Sequence, residues 1–277
     1  MGHTSSKSDR RNYNKSGGSY QHPYGAPPPY SDSDESLDKP PSVPPKDRRS
    51  RRPRQENALE ILRRYDTVLI VDDSTSMRGA LWHEAREALA DLAKAAATYD
   101  TDGIDICFLN SKEHGEGLKE ADEVRDIFNR VKPTFGTPLG VVVHKVLKRY
   151  LKRLEREIQR DSDADEEVKP VNYIVITDGR PDDEIELENA IVKCATFLDK
   201  HEYPLSQIGI QFVQIGDDLH ATQFLKDLDN TLATKYTTRD IVDTETYNGV
   251  VTAPKLIKLM LGGINRRVDM KGGEVML

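Results

Sequence analysis

Cysteine is scarce: the 277 residues include two, Cys107 and Cys194, far apart and each within a stretch patterned for regular structure. This excludes a disulfide framework or a thiolate zinc site, and suits small buried hydrophobes in a reducing compartment. No apolar run approaches the roughly 18 residues of a membrane span, and no secretory signal with a hydrophobic core is visible. The expected setting is therefore cytoplasmic. Apolar residues make up 36% and aromatics 6%, against 31% charged. That is too polar for a chain packed throughout, so a folded part with a polar, unfolded part is expected.

The charge divides along the same line. Residues 1–55 hold 11 Lys/Arg and 6 Asp/Glu, a net of +5, which leaves −12 of the overall −7 for residues 56–277. An acidic globule lacks the basic surface that phosphate neutralisation needs, so no nucleic acid is expected as a partner. The first 55 residues also carry nine of the fifteen prolines and almost no aliphatics. Such a segment cannot bury enough apolar surface to offset its ordering entropy. The expected division is a disordered tail at 1–57, a folded domain at 58–270 and a flexible end at 271–277.

Within the folded part, short apolar runs alternate with helical patterns. The runs at 66–72 (DTVLIVD), 103–110, 171–179 and 207–218 suit strands, those at 66–72 and 171–179 buried on both faces. Leu81, Ala85, Ala88, Leu92 and Ala96 repeat at helical spacing in a stretch read as a helix from Met77 to Tyr99, as do Leu139, Val143, Val146, Tyr150 and Leu154 in a later one. Residues 111–120 have room for a short edge strand, 241–245 for a last strand and 253–267 for a terminal helix; 161–167 is a solvated acidic loop. Strand alternating with helix predicts an α/β fold, doubly wound, with a mostly parallel sheet between helical layers.

Ligands of such sheets bind beyond the carboxyl ends of the strands. Asp72, Ser74 and Ser76 leave the first strand, Thr137 precedes a helix, and Asp178 ends a later strand. Each has an ordinary reading as well. A serine caps a helix, Thr137 before Pro138 makes a good N-cap, and Asp178-Gly179 makes a turn. Catalytic templates are missing: there is no Gly-x-Ser-x-Gly elbow and no Gly-x₄-Gly-Lys phosphate loop. His83-Glu84 lacks the second histidine of a zincin, since position 87 is Glu. Asp72-x-Ser74 lacks the second aspartate of a haloacid-dehalogenase-like phosphatase. No enzyme is expected.

Taken together, Asp72-x-Ser74-x-Ser76, Gly136-Thr137-Pro138 and Thr177-Asp178-Gly179 resemble the three loops of von Willebrand factor A domains. The resemblance runs from about Asp66 to the last helix. It implies a metal-ion-dependent adhesion site at Asp72, Ser74, Ser76, Thr137 and Asp178. In that family the hydroxyls bind the ion and the aspartates act largely through water or as acceptors from the hydroxyls. The cofactor implied is Mg²⁺, with Mn²⁺ or Ca²⁺ as substitutes, and the partner implied is a protein offering an Asp or Glu carboxylate. Asp73 is left as a spacer.

The same stretch also resembles the start of a response-regulator receiver domain, where an adjacent acidic pair holds Mg²⁺ beside a phosphorylatable aspartate. The acceptor expected some fifty residues later is missing. The tail has signals of its own. Gly2, with Ser6 following, fits an N-myristoylation form, and the basic run 46–54 would add attraction to anionic lipid for peripheral membrane contact. Pro27, Pro28 and Tyr30 fit the Pro-Pro-x-Tyr form read by WW domains, and 41–46 fits a Src-homology-3 ligand. A scaffold driven by its tail, with a vestigial metal site, is the alternative function.

Overall fold

The computed structural model describes residues 62–98, 102–159 and 168–269, with backbone alone from 262 to 269. The predicted tail at 1–57, with Gly2, Pro27, Pro28 and Tyr30, lies outside the described residues, as do the acidic run 161–167 and residues 271–277.

Six strands form one sheet: β1 (Asp66–Val71), β2 (Ile104–Phe108), β3 (His114–Leu118), β4 (Val171–Thr177), β5 (Ile208–Gln214) and β6 (Val242–Glu245). Their spatial order is β3-β2-β1-β4-β5-β6. All neighbours run parallel except the β2–β3 pair at the edge. The helices are α1 (Ala80–Ala96), α2 (Ala121–Arg130), α3 (Leu139–Gln159), α4 (Glu184–Lys200), α5 (Leu219–Tyr236) and α6 (Ala253–Asp269). The predicted doubly wound α/β architecture is the one observed, and the short run at 111–120 supplies β3.

Every residue of β4 and of β5 is buried, because both faces of these strands are roofed by helices. One apolar layer joins α1, α2 and α6 to the face of the sheet carrying Leu69, Ile106, Ile174 and Val213. The other joins α3, α4 and α5 to the face carrying Ile70, Tyr173, Val175 and Phe212. Cys194 is buried in this second layer and Cys107 packs against it half-buried; both thiols are free, and burial pushes them up to about 12 and about 11. They are packing groups, with no thiolate character at neutral pH. Among the described residues no helix is long and apolar enough to cross a membrane.

The helical pattern read from Met77 onward begins later than expected. Thr75–Met77 forms one turn of 3₁₀ helix, and Gly79, at φ 83°, turns the chain into α1 at Ala80. This detour gives the serines of the first loop a position independent of α1.

The sheet order reverses at β1. From β1 the chain crosses by α1 to β2 on one side, and from β3 it returns by α2 and α3 to β4 on the other, which opens a crevice beyond the carboxyl ends of β1 and β4.

On the α1–α2 side, Trp82, Phe108 and Phe128 pack ring to ring, with centroids 4.5 to 5.8 Å apart. Phe128→Ala should remove about 3–5 kcal/mol of stability by leaving a cavity there. Urea unfolding followed by Trp82 emission checks this, since Trp82 is the sole tryptophan.

Candidate functional site

The backbone N–H of Asp72 donates to the Ile176 carbonyl at 2.9 Å, so its carboxylate starts from a fixed point in the sheet. That carboxylate has no solvent exposure. One oxygen accepts from the Ser74 N–H at 2.8 Å and the other from the Thr177 hydroxyl at 2.7 Å. Both loops of the crevice are therefore tied to one side chain. Burial is the main influence on its acidity and pushes the pKa up to about 6, against the hydrogen bonds from Thr177 and Ser74. Asp178 is also raised, chiefly by burial, with the Ser76 hydroxyl opposing and Asp218 adding to the rise.

Beyond Asp72 the hydroxyls form a line. Ser76 Oγ donates to Asp178 Oδ1 at 2.9 Å, and Ser74 Oγ lies 3.0 Å from Ser76 Oγ. With the Ser76 proton committed to Asp178, the Ser74 hydroxyl is the donor to Ser76. Four of the five expected residues, Asp72, Ser74, Ser76 and Asp178, are thus linked by short contacts. Beside them opens a shallow cleft of about 470 Å³ lined by Ser76, Asp178, Gly179, Arg180, Asp218 and His220.

Thr137 arrives by its loop. Thr134 N–H donates to the Asp73 carbonyl at 2.8 Å, and the Thr75 N–H and hydroxyl both donate to the Phe135 carbonyl, at 3.2 and 3.1 Å. From the other side Asp182 grips Thr137 itself. Its carboxylate accepts the Thr137 N–H at 2.7 Å, and its own N–H donates to the Thr137 carbonyl at 3.0 Å. The first turn of α3 is capped by Asp183, which accepts from the N–H groups of Gly140 and Val141, both at 2.8 Å. This leaves the Thr137 hydroxyl out of the cap it was expected to form. Gly140 permits the close approach of α3 and α4: a Cβ there would fall 2.6 Å from the Leu187 nitrogen.

Asp73 is no mere spacer. It is buried, and its carboxylate accepts from the Asn110 N–H at 2.7 Å, the Asn110 amide at 3.2 Å and the Ser111 N–H at 2.9 Å. The Asn110 amide also donates to the Gly136 carbonyl at 2.9 Å. Asp73 thereby fastens the β2–β3 loop, and through it the Thr137 loop, to the end of β1. Residues the sequence reading passed over, namely Asp73, Asn110, Thr177, Asp182 and Asp183, build the frame of the site. The signal available for them was acidic residues adjoining each motif, in Asp72-Asp73 and in Asp182-Asp183.

Among the described residues no three His, Cys, Asp or Glu side chains are grouped to hold a metal ion. The donor set here is of another kind, two hydroxyls and a carboxylate oxygen in a row. Oxygens on adjacent corners of a Mg²⁺ octahedron lie about 3 Å apart, given metal–oxygen bonds of about 2.0–2.1 Å. The Ser74–Ser76 and Ser76–Asp178 separations, 3.0 and 2.9 Å, are hydrogen-bond lengths that are also compatible with that edge. Hydroxyl and carboxylate oxygens are the donor types that suit a hard divalent cation.

Phe135 is strained. Its φ of 64° lies in the left-handed region, which costs a non-glycine residue about 1–2 kcal/mol. The two hydrogen bonds from Thr75 hold it there, and its ring is 80% exposed.

No protein-family model matches the chain, and no curated protein matches it. Among solved structures it is similar to the N-terminal domain of TFIIH p34, with 13% identity and a TM-score of 0.44 over 73% of this chain and 99% of that one. It is also similar to the vWF domain of the type V pili tip protein Mfa5 from Porphyromonas gingivalis, with 13% identity and a TM-score of 0.37 over 77% of this chain and 97% of that one. Likenesses this distant transfer no residue roles.

Burial of Asp72 has a measurable consequence. Its folded pKa is raised from an ordinary 3.8 to about 6, so the folded state holds the proton more tightly than the unfolded chain does. The stability this contributes is present at low pH and is lost as pH rises from about 4 to about 6, on the order of 3 kcal/mol in the metal-free protein. Urea melts in EDTA at pH 4 and pH 6.5 should show Asp72→Asn losing less stability over that interval than wild type. A second expectation concerns Phe135→Gly, which relieves the backbone at little cost in buried area. Its melting temperature should equal or exceed that of wild type, by up to about 1 kcal/mol in stability.

Proposed function

We propose that this domain docks a partner protein through a divalent cation, Mg²⁺ foremost, at the end of the sheet where β1 and β4 diverge. Ser74, Ser76 and Thr137 would supply neutral oxygens, with Asp72 and Asp178 in support, and a partner's Asp or Glu carboxylate would complete the site. The observation that carries this reading is the row of oxygens Ser74–Ser76–Asp178 at octahedral-edge spacing, backed by the fully buried Asp72.

The chemistry follows from the donors. A cation held mainly by neutral hydroxyls keeps most of its charge uncompensated, and hard ions of this size favour anionic oxygen. Asp72 has both oxygens engaged by Ser74 and Thr177, so its role is to fix the serine loop and to lend negative charge from behind. Asp178 orients Ser76. The hydroxyls beside these carboxylates are read here as cation donors held in place for binding. A receiver-like phospho-acceptor is disfavoured because Asp73 turns to Asn110 and Ser111, so the adjacent acidic pair does not converge on one point.

Isothermal titration and thermal shift with Mg²⁺ test the reading. Wild type at pH 7 should gain about 2.7 kcal/mol of stability at a Mg²⁺ concentration one hundred times the Kd. Ser74→Ala and Asp72→Ala should lose the heat of binding. The gain should shrink at pH 5, where protonation of Asp72 competes with the cation. Equal Mg²⁺ binding by wild type and Asp72→Ala contradicts the proposal, and partner contacts that vanish with residues 1–57 yet survive EDTA favour a scaffold driven by the tail.

A further inference from the structure

Seven large apolar side chains stand exposed among the described residues; Ile158 and Tyr236 lie near the far ends of α3 and α5, and Val250 lies before α6. The other four, Phe135, Val141, Ile185 and Leu219, lie in the loop before α3 or in the first turns of α3, α4 and α5. Phe135 belongs to the Thr137 loop, and Val141 lies in the first turn of α3. Ile185 lies in the first turn of α4, and Leu219 opens α5 beside the cleft residues Asp218 and His220. Asp182 and Asp183 bind the loop and the start of α3 to the start of α4, so Phe135, Val141 and Ile185 share one junction. The rings and branches at Phe135, Ile185 and Leu219 are 80%, 79% and 80% exposed. At Phe135 that exposure is held in place by an unfavourable backbone conformation, fixed from the serine loop.

Resting on the cation-mediated reading above, we infer that these side chains form an apolar rim around the oxygen row, and that the partner segment is a loop whose Asp or Glu is flanked by bulky aliphatic or aromatic residues. Docking sites concentrate their binding energy in a few large apolar groups around a desolvated polar centre, and this end of the domain has both parts. Charge supplies the condition for binding. Without a cation the cleft presents Asp178 and Asp218, while Arg180 is engaged by Glu184. An acidic loop is repelled by that end and attracted once a divalent ion sits there. The rim then supplies contact area, and the ion supplies the switch.

The test uses the full chain and a display library of cyclic peptides with a fixed central Asp and randomised neighbours, selected in Mg²⁺ and eluted with EDTA. Enriched peptides should carry Leu, Ile, Phe or Trp within two positions of the Asp. The triple variant Phe135→Ala, Ile185→Ala, Leu219→Ala should bind them at least about tenfold more weakly, a loss of about 1.4 kcal/mol, while its Mg²⁺ affinity by titration stays at the wild-type value. Peptides eluted by EDTA but with no apolar preference, or bound equally by the triple variant, overturn the rim and leave the cation reading standing. Absence of Mg²⁺ binding overturns the cation reading. Mg²⁺-independent self-association by sedimentation, lost in the triple variant, assigns the rim to a second copy of this chain and overturns the proposal.

Discussion

Everything at the functional end of this domain depends on one buried carboxylate. Asp72 sits where the strand order reverses, with its N–H in register with β4 and its two oxygens divided between the serine loop and Thr177. A charge in that position is costly by itself, and the raised pKa expresses that cost. Two strong donors offset part of it. A cation beyond the serines, as proposed, would offset more and would give the folded chain a preference for binding one.

A similar device recurs around the site. Asp73 gathers the β2–β3 loop, Asp182 grips Thr137, and Asp183 caps α3 from the start of α4. In each case a carboxylate accepts backbone N–H groups from a segment remote in sequence, the strong, charge-assisted form of the hydrogen bond. Three loops that would otherwise move separately are cross-tied into one surface. The strain at Phe135 is sustainable only because that network over-determines its position.

Much of the fold could be read from the chain because its signals are local. The largely apolar run of β4 reports burial on both faces, and the helical stripes of α1 and α3 report one-sided packing. The start of α1 was misplaced because Gly79 acts through a positive φ, which no apolar periodicity records. At the site, the motif residues could be read because their type and spacing carry chemistry. Their supports could not. Asp73 looks like a spacer until the β2–β3 loop is beside it, and Thr137 looks like a helix cap until Asp183 is found doing that work from another element. The pair Asp182-Asp183 is visible in the chain, but its service to the turn some forty residues earlier comes only from the packing of α4 against α3.

The central claim is that residues from three loops surround one cation. Paramagnetic broadening of backbone amide signals by substoichiometric Mn²⁺ in the ¹⁵N-labelled chain measures this most directly. The account predicts that the signals of Ser74, Ser76, Thr137 and Gly179 disappear together, while those of Asp66, Ile104 and Ile208, at the opposite ends of their strands, persist. Broadening confined to one loop, or spread over the acidic surface with no preference for these residues, would contradict it.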